Sequence, residues 1–401
     1  MDVPADASRL PAKIVPADAI PAPERALFEA WMRRAIGLAR RANGRTHPNP
    51  LVGALIVEDG IVVAEGWHKR AGTPHAERNA LAALGRPPRA GATLVVTLEP
   101  CSTHGRTGAC TDAILAAGGI SRIIVGATDP NPAHAGRGFE ILRAAGISVV
   151  HGVLADDCAR LNPIFNHWIV KKTPLFAAKI AMTLDGRTAT RSGESQWITS
   201  AAARENVMLL RRAFPAVATG SGTVLADNPS LTARVPAEEI FCPERFVFDR
   251  RLRTLARLEK LKIFNDEFRG KTTLVTTPDA LAAVPESVVA RLDERCVRRL
   301  ALNAEPTVFW KEFRAFCSAN SLCGVLFEAG SALLGALLAA RELDYLYAYI
   351  APKIFGDPQA RPAFAGTPLD RLADAFALEA LHAEPFPPDI RLEARFAAPR
   401  D

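Results

Sequence analysis

Phe28, Trp31, Met32, Ala35, Ile36 and Ala39 recur at intervals of one, three and four, which predicts an amphipathic helix ending near Gly44. Residues 51–57 and 61–64 are apolar runs joined by Glu58-Asp59-Gly60, the pattern of a hairpin. Pro74 suits the first turn of a helix that continues through Leu81 and Leu84 to Gly85. Residues 93–98 read as a buried strand and 111–117 as a helix stopped by Gly118-Gly119. A strand at 123–125, a helix at 139–145 and a strand at 147–153 follow, and 156–170 is helical in part. Strands alternating with helices predict a three-layer α/β domain with helices on both sheet faces.

Lys171-Lys172-Thr173-Pro174 reads as a linker, after which a second α/β pattern starts. Its strands are expected at 175–182, 216–219, 246–248, 273–275, 325–328 and 346–350, with helices at 201–212 and 333–340. The stretch 255–316 carries little periodicity beyond the strand at 273–275. No internal repeat relates the halves.

A chain of 401 residues is long enough for two such domains. No apolar run is long enough to span a membrane. Residues 1–24, rich in Ala and Pro, read as a disordered extension, and without an apolar h-region they do not form a secretory signal. A net charge of +6 spread over this length accommodates an anionic ligand as readily as nucleic acid. Basic stripes interleaved with aromatics, which a nucleic-acid groove needs, are not evident. Seven irregularly spaced cysteines read as reduced thiols of a cytosolic protein. Cys158, Cys242, Cys296, Cys317 and Cys323 are expected to be inert core thiols.

The other two cysteines carry chemistry. His75-Ala76-Glu77 is followed by Glu99-Pro100-Cys101 and then Cys110. One imidazole and two thiolates make three zinc ligands, leaving the fourth tetrahedral position to water. Glu77, spared from coordination, is placed to move protons, the arrangement of zinc-dependent base deaminases. A structural zinc site is the alternative, but it has no need for Glu77. His382-Ala383-Glu384 repeats the triplet without a following Pro-Cys, and the prolines after it cannot continue a helix, so it is read as structural or exposed. The cysteines are eight residues apart rather than two, and the loop between them holds His104 and Arg106, suited to an anion near the metal. A solvated loop is the alternative.

Together these segments resemble the bifunctional riboflavin-biosynthesis enzymes, in which a diaminohydroxyphosphoribosylaminopyrimidine deaminase is fused to a 5-amino-6-(5-phosphoribosylamino)uracil reductase. The resemblance rests on Thr46-His47-Pro48-Asn49-Pro50, the zinc motifs, and Asp129-Pro130-Asn131-Pro132. In the second half it rests on Leu184-Asp185-Gly186-Arg187, Ser195-Gln196-Trp197, Gly222-Thr223-Val224-Leu225-Ala226-Asp227-Asn228-Pro229 and Phe327-Glu328-Ala329-Gly330. It implies a cytidine-deaminase-like zinc domain over 25–172 and a dihydrofolate-reductase-like, NADPH-dependent domain over 173–401. It further implies that His75, Cys101 and Cys110 bind Zn2+, that Glu77 shuttles protons, and that Asn49 and His68 line the pyrimidine pocket. In the reductase, Ala181, Trp197, Thr223, Asp227 and the run Gly330, Ser331, Ala332, Leu333, Leu334, Gly335, Ala336 match cofactor positions. Ser195, Arg211, Leu231, Arg234 and Glu328 match substrate positions, and Lys179 is a catalytic candidate. The implied partner is a phosphorylated pyrimidine, with NADPH giving hydride to the ribose C1′ and no nucleic acid or membrane involved. A homo-oligomer built through the reductase domain is expected. Two departures stand out. Thr103 occupies a position where the family usually has His, and Arg250 follows Asp249 where a small polar residue is common. Arg250 could meet the cofactor's extra phosphate or be a solvated charge.

Overall fold

The computed structural model describes residues 12–103, 108–366 and 368–398. His104 and Arg106, together with residues 1–11, lie outside the described residues. The chain divides into two compact units, one up to Lys172 and one from Thr173.

The first unit is built on a six-stranded sheet. Its strands are β1 (Ile14–Pro16), β2 (Gly53–Glu58), β3 (Ile61–Trp67), β4 (Ala92–Leu98), β5 (Ile120–Ala127) and β6 (Ser148–His151), in the order β1-β6-β5-β4-β2-β3. The links β1-β6-β5-β4 are parallel, while β2 runs antiparallel to both β4 and β3. The β2–β3 hairpin turns on Asp59 (φ 50°) and Gly60 (φ 78°), the left-handed pair that matches strand twist. The long helix α1 (Ala22–Arg40) buries Phe28, Met32, Ala35, Ile36 and Ala39, the stripe read from the sequence. Residues 14–24 correct the expected disordered extension: Ile14 and Val15 pair with Val149 and Val150, and α1 already begins at Ala22. An edge strand with apolar partners is worth ordering, a gain that the Ala/Pro composition around it obscured.

Helix α2 (Ala76–Leu84) starts two residues after Pro74, because His75 is extended (φ −72°, ψ 170°) and stands as its cap. Pro74 therefore precedes the helix rather than opening it. Helix α3 (Cys110–Ala117) follows the long cysteine loop, and α4 (Arg137–Ala144) precedes β6.

The second unit carries a nine-stranded sheet. Chain order is β7 (Leu175–Thr183), β8 (Arg187–Ala189), β9 (Ala216–Gly220), β10 (Glu244–Phe248), β11 (Thr272–Thr276), β12 (Arg298–Ala301), β13 (Gly324–Phe327), β14 (Tyr345–Ala351), β15 (Arg361–Pro362), β16 (Leu378–Phe386) and β17 (Asp389–Phe396). The large sheet runs β12-β11-β10-β9-β13-β7-β14-β17-β16, and β8 pairs with β15 separately. Strands β12 to β14 are mutually parallel, and the β16–β17 hairpin adds antiparallel strands at one edge. His382 lies in β16 opposite Glu393, far in sequence from any cysteine ligand, as its missing Pro-Cys implied. The weakly periodic stretch 255–316 contains β12 and the helices Glu286–Glu294 and Pro306–Ala319. The last of these buries Phe309, Trp310 and Phe313 against Phe246, Phe248 and Phe327, with Phe248 and Phe313 rings 5.0 Å apart edge to face. Cys158, Cys242, Cys317 and Cys323 are buried, but Cys296 is exposed and so departs from the expected core thiol.

Gly66 on β3 is where α2 lies closest to the sheet: a Cβ there would fall 2.2 Å from Ala80 N and 2.4 Å from Ala76 O. Gly66→Ala is therefore expected to push α2 away and to cost about 1–3 kcal/mol in urea denaturation. Gly37→Ala on the outer face of α1 meets nothing within 4 Å and is expected to gain up to about 1 kcal/mol in the same assay.

Candidate active sites

The first site lies where α2 begins and β4 ends. His75 stands just before α2, Cys101 sits three residues beyond the end of β4, and Cys110 is the first residue of α3. The N–H groups of Cys110 and Thr111 both donate to Cys101 O, at 3.0 and 3.2 Å, closing the cysteine loop at its base. His75 Nδ1 lies 3.6 Å from Cys101 Sγ and 3.3 Å from Cys110 Sγ. All three ligand atoms fall within 4.8 Å of one another, the one such group of three donors found among the described residues. Zinc bonded to nitrogen at about 2.0 Å and to sulfur at about 2.3 Å, at tetrahedral angles, holds N and S about 3.6 Å apart. The donor set and spacing therefore fit zinc, with one coordination position left over.

Glu77 is 3% exposed in the first turn of α2, and burial pushes its carboxyl above the ordinary value. His68 is also buried, which lowers its pKa and keeps the ring neutral. Its Nδ1 lies 3.2 Å from Pro74 O and its Nε2 lies 3.2 Å from Asn49 Nδ2. The consistent assignment has Nδ1–H donating to the carbonyl and Nε2 accepting from the Asn49 amide. The structure thus brings Asn49 and His68 together, with the His68 ring edge-on to His75 at 5.2 Å.

Glu99 belongs to the Glu99-Pro100-Cys101 motif, and the sequence alone assigns it no role. It follows β4 directly, and its buried carboxylate accepts the N–H groups of Asp129 (3.2 Å), Gly136 (3.0 Å) and Gly138 (2.9 Å). These bonds tie the chain just before Cys101 to the loop after β5. Its position directly before Pro100-Cys101 was the available signal. Thr103, the departure from the family pattern, has its Oγ1 3.4 Å from His134 Nε2, so an imidazole reaches this position from a different loop.

The second site is a cavity of about 1060 Å³ at the carboxyl ends of the central strands of the large sheet. Lys179 projects from β7, and Glu328 follows β13 directly. Arg211, near the end of the helix Ala201–Ala213, donates to both Glu328 oxygens, with Nη2–Oε2 at 3.0 Å, and its Nη1 donates to Thr232 O at 3.0 Å. Lys179 Nζ lies 3.7 Å from Glu328 Oε2. Burial lowers the Lys179 ammonium, although Glu328 opposes this. Burial alone would raise the Glu328 carboxyl, but Arg211 and Lys179 hold it below its ordinary value.

Lys179, Ala181, Ser195, Trp197, Arg211, Thr223, Asp227, Leu231, Arg234, Glu328 and residues 330–333 all line this cavity. Leu334, Gly335 and Ala336 do not: Leu334 and Gly335 turn into the core and Ala336 is exposed, because a helix presents only one side to the cavity. A Cβ on Gly335 would fall 1.7 Å from Ala365 O, so its small size serves packing. Trp197 is 62% exposed, with the Arg204 guanidinium 4.4 Å from its ring centroid, and is no core residue. Arg253, Arg204 and Lys262 also line the cavity, and no motif in the sequence singles them out. Arg250, for which a phosphate contact and a solvated charge were both open, does not line it and donates to Ala304 O at 2.6 Å.

The cavity's donor set fits an elongated anionic dinucleotide. The helix Ser331–Ala339 opens into it with no side-chain cap, leaving first-turn N–H groups for a phosphate. Thr223, Ser221 and Arg253 add side-chain donors, and its location at strand carboxyl ends is where open α/β sheets bind nucleotides.

Glu328→Gln would strand two buried cations and is expected to cost about 3–5 kcal/mol in chemical denaturation at pH 7. The folded-state pKa of Glu328 is depressed, so its contribution is complete above the unfolded value of about 4.3 and is lost as pH falls through the lower folded value. The gap between wild type and variant should narrow in the same assay below about pH 4.

Comparison with known proteins identifies both units. The model of the cytidine and deoxycytidylate deaminase zinc-binding region matches residues 26–127, and that of the RibD C-terminal domain matches residues 174–392. The riboflavin biosynthesis protein RibD of Actinobacillus pleuropneumoniae is 40% identical over 363 residues, covering 90% of this chain and 94% of that one. Its counterpart in Escherichia coli (strain K12) is 41% identical over 360 residues, covering 86% and 93%. The solved diaminohydroxyphosphoribosylaminopyrimidine deaminase/5-amino-6-(5-phosphoribosylamino)uracil reductase of Thermotoga maritima superposes with a TM-score of 0.73 at 33% identity, over 93% of this chain and 100% of that one. A zinc-type deaminase unit followed by a RibD-type reductase unit, matched over nearly the full length of these relatives, means that the chain belongs to the RibD family of bifunctional riboflavin-biosynthesis enzymes.

Proposed function

We propose that residues 25–172 catalyse hydrolytic deamination of 2,5-diamino-6-(5-phosphoribosylamino)pyrimidin-4(3H)-one. Residues 173–401 then reduce its ribosyl group with NADPH, giving 5-amino-6-(5-phosphoribitylamino)uracil. The observation that carries this reading is the coexistence of the His75/Cys101/Cys110 cluster beside buried Glu77 with a separate cavity holding Lys179, Glu328 and Arg211.

In the deaminase, zinc when bound supplies Lewis acidity that readies a water for attack on the ring carbon bearing the amine. Glu77 moves the proton. A carboxyl raised by burial can take a proton from water and return it to the departing nitrogen near neutral pH. Asn49, held through its Nδ2 by neutral His68, keeps Oδ1 as an acceptor for a pyrimidine N–H. Ammonia then leaves.

In the reductase, NADPH when bound supplies hydride. Lys179, made a readier acid by burial, offers a proton from Nζ to the sugar ring oxygen as the C1′–O bond opens. Glu328 holds Lys179 in place, and Arg211 holds Glu328. Arg234, braced by Ser230 Oγ and Thr232 Oγ1 at 3.0 and 2.8 Å, keeps its remaining N–H groups for the substrate phosphate.

Supplying the diaminopyrimidine phosphate with and without NADPH, while following ammonia release and cofactor oxidation, tests the reading directly. Ammonia is expected in both cases and cofactor oxidation only after deamination. Glu77→Gln is expected to keep its zinc by elemental analysis, lose about 10²- to 10⁴-fold in ammonia release, and still reduce the deaminated intermediate. Full deamination by that variant would remove Glu77 from the mechanism.

A further inference from the structure

Besides the cavity that holds Lys179, the second unit carries another of about 1100 Å³, to which neither proposed reaction assigns a ligand. One stretch of chain serves both. Arg253 and Lys262 line the Lys179 cavity, whereas Arg251, Leu252 and residues 255–261 line the other. This stretch consists of short helical turns, Arg253–Lys260, entered through Leu252 at φ 52° and kinked at Arg257. Asn228 clips it to the end of the helix Ser221–Asp227. The Asn228 Nδ2 donates to Lys260 O at 3.1 Å, and its Oδ1 accepts from Lys262 N at 2.7 Å. The wall of the cavity is therefore fixed in place although it is not a regular helix.

The interior of this cavity is aliphatic. Leu225, Leu252, Leu255, Val284 and Val288 are half-buried and line it, and no aromatic ring among the described residues joins them. Its charges are unbalanced. Arg251, Arg257, Lys260 and Arg291 line it with a single carboxylate, Glu259. That carboxylate is already taken: it meets Arg291 at 3.2 Å and also pairs with Arg295. Arg251, Arg257 and Lys260 form no ion pair among the described residues. Like charges gathered around an apolar hollow draw an anion to it.

From this pairing of an aliphatic floor with uncompensated cations, we propose that the cavity binds a monomeric aliphatic anion, a carboxylate or phosphate carried on an alkyl chain. The chain lies on the leucine and valine side chains, and the head group meets Arg257 and Lys260. Small-molecule pockets of about 300–1,000 Å³ combine a mostly apolar lining with a few polar groups, and this cavity is of that order. A lining without rings offers no π face to stack on, so it suits an alkyl chain better than a flat heterocycle. A guanidinium can take two oxygens of the head group at once, and the lysine adds a point charge.

The test is calorimetric titration of the full chain with decanoate and with its neutral counterpart decanol, at neutral pH and below the concentrations at which they aggregate. Decanoate is expected to bind at one site per chain, and decanol about tenfold more weakly or worse, since it lacks the charged contact. The double variant Arg257→Glu/Lys260→Glu should weaken decanoate about 10- to 100-fold and move decanol by less than about threefold. Both changes fall on exposed side chains, and a melt followed by circular dichroism checks that the variant folds. Val284→Trp, which fills the cavity, should remove binding of both compounds. Should that variant fail to fold, the charge-reversed one decides alone. Absence of decanoate binding, equal binding of decanoate and decanol, or an unchanged affinity after charge reversal overturns the proposal. So does decanoate binding that survives Val284→Trp, because the ligand then sits elsewhere. A last arm mixes the chain with vesicles of phosphatidylcholine and phosphatidylglycerol in equal parts, with which it should not sediment. Sedimentation that charge reversal abolishes would assign these cations to a membrane surface instead and overturn the proposal as well.

Discussion

A carboxylate buried directly after a strand has to be satisfied, because an isolated charge cannot be held away from water without large cost. Both units set their chemistry on such a group. Glu99 follows β4, and Glu328 follows β13. The solutions differ. Glu99 accepts three backbone N–H groups, binding one loop to the next. Glu328 is met by Arg211 and Lys179. One carboxylate organises backbone, the other organises charge, and each stands beside a functional group: the metal-ligand candidate Cys101 in the first unit, Lys179 in the second.

The consequence is pre-organisation. The cysteine loop is closed at its base by the bonds to Cys101 O and anchored before Cys101 by Glu99, so the ligand atoms stand at zinc-like separations. Gly138, whose N–H serves Glu99, has no room for a side chain, since a Cβ would lie 2.6 Å from Pro100 O. In the reductase, Glu328 also ties its own carbonyl to Thr219 Oγ1 at 2.8 Å, linking β9 and β13 beneath the cavity. Glu99, Gly138 and Thr219 thereby set the geometry of the residues beside them.

Much of this was legible in the chain. The period of α1, the buried run of β4 and the strands around Lys179 and Glu328 follow from local pattern, because one face or both faces of each element are apolar. Two classes of feature were not. The short strand at Ile14–Pro16 has too few residues to show a period, and its order comes from pairing with β6. The stretch 255–316 is hard to read because most of its elements are short, such as Lys262–Asn265, Pro278–Ala282 and β12, while Phe309 and Phe313 show their role only through partners distant in sequence. Leu334, Gly335 and Ala336 of the expected cofactor run stand outside the cavity lining for a related reason. Sequence adjacency does not say which side of a helix faces the cavity, and Leu334 and Gly335 face the core.

The sequence by itself determined the chemistry: a His/Cys/Cys donor set with a spare Glu, and a second half whose motifs belong to a reductase. Ligand type and motif order are properties of the chain, independent of how it folds. Only the tertiary structure decided which charges are neutralised and which remain available. Arg211, one of the matched substrate positions, is largely committed to Glu328, whereas Arg253, which no sequence pattern singles out, stands in the cavity beside Ser221. The physical reason is that a guanidinium's role depends on the acceptors within about 3 Å of it, and those come from strands and loops far apart in the sequence.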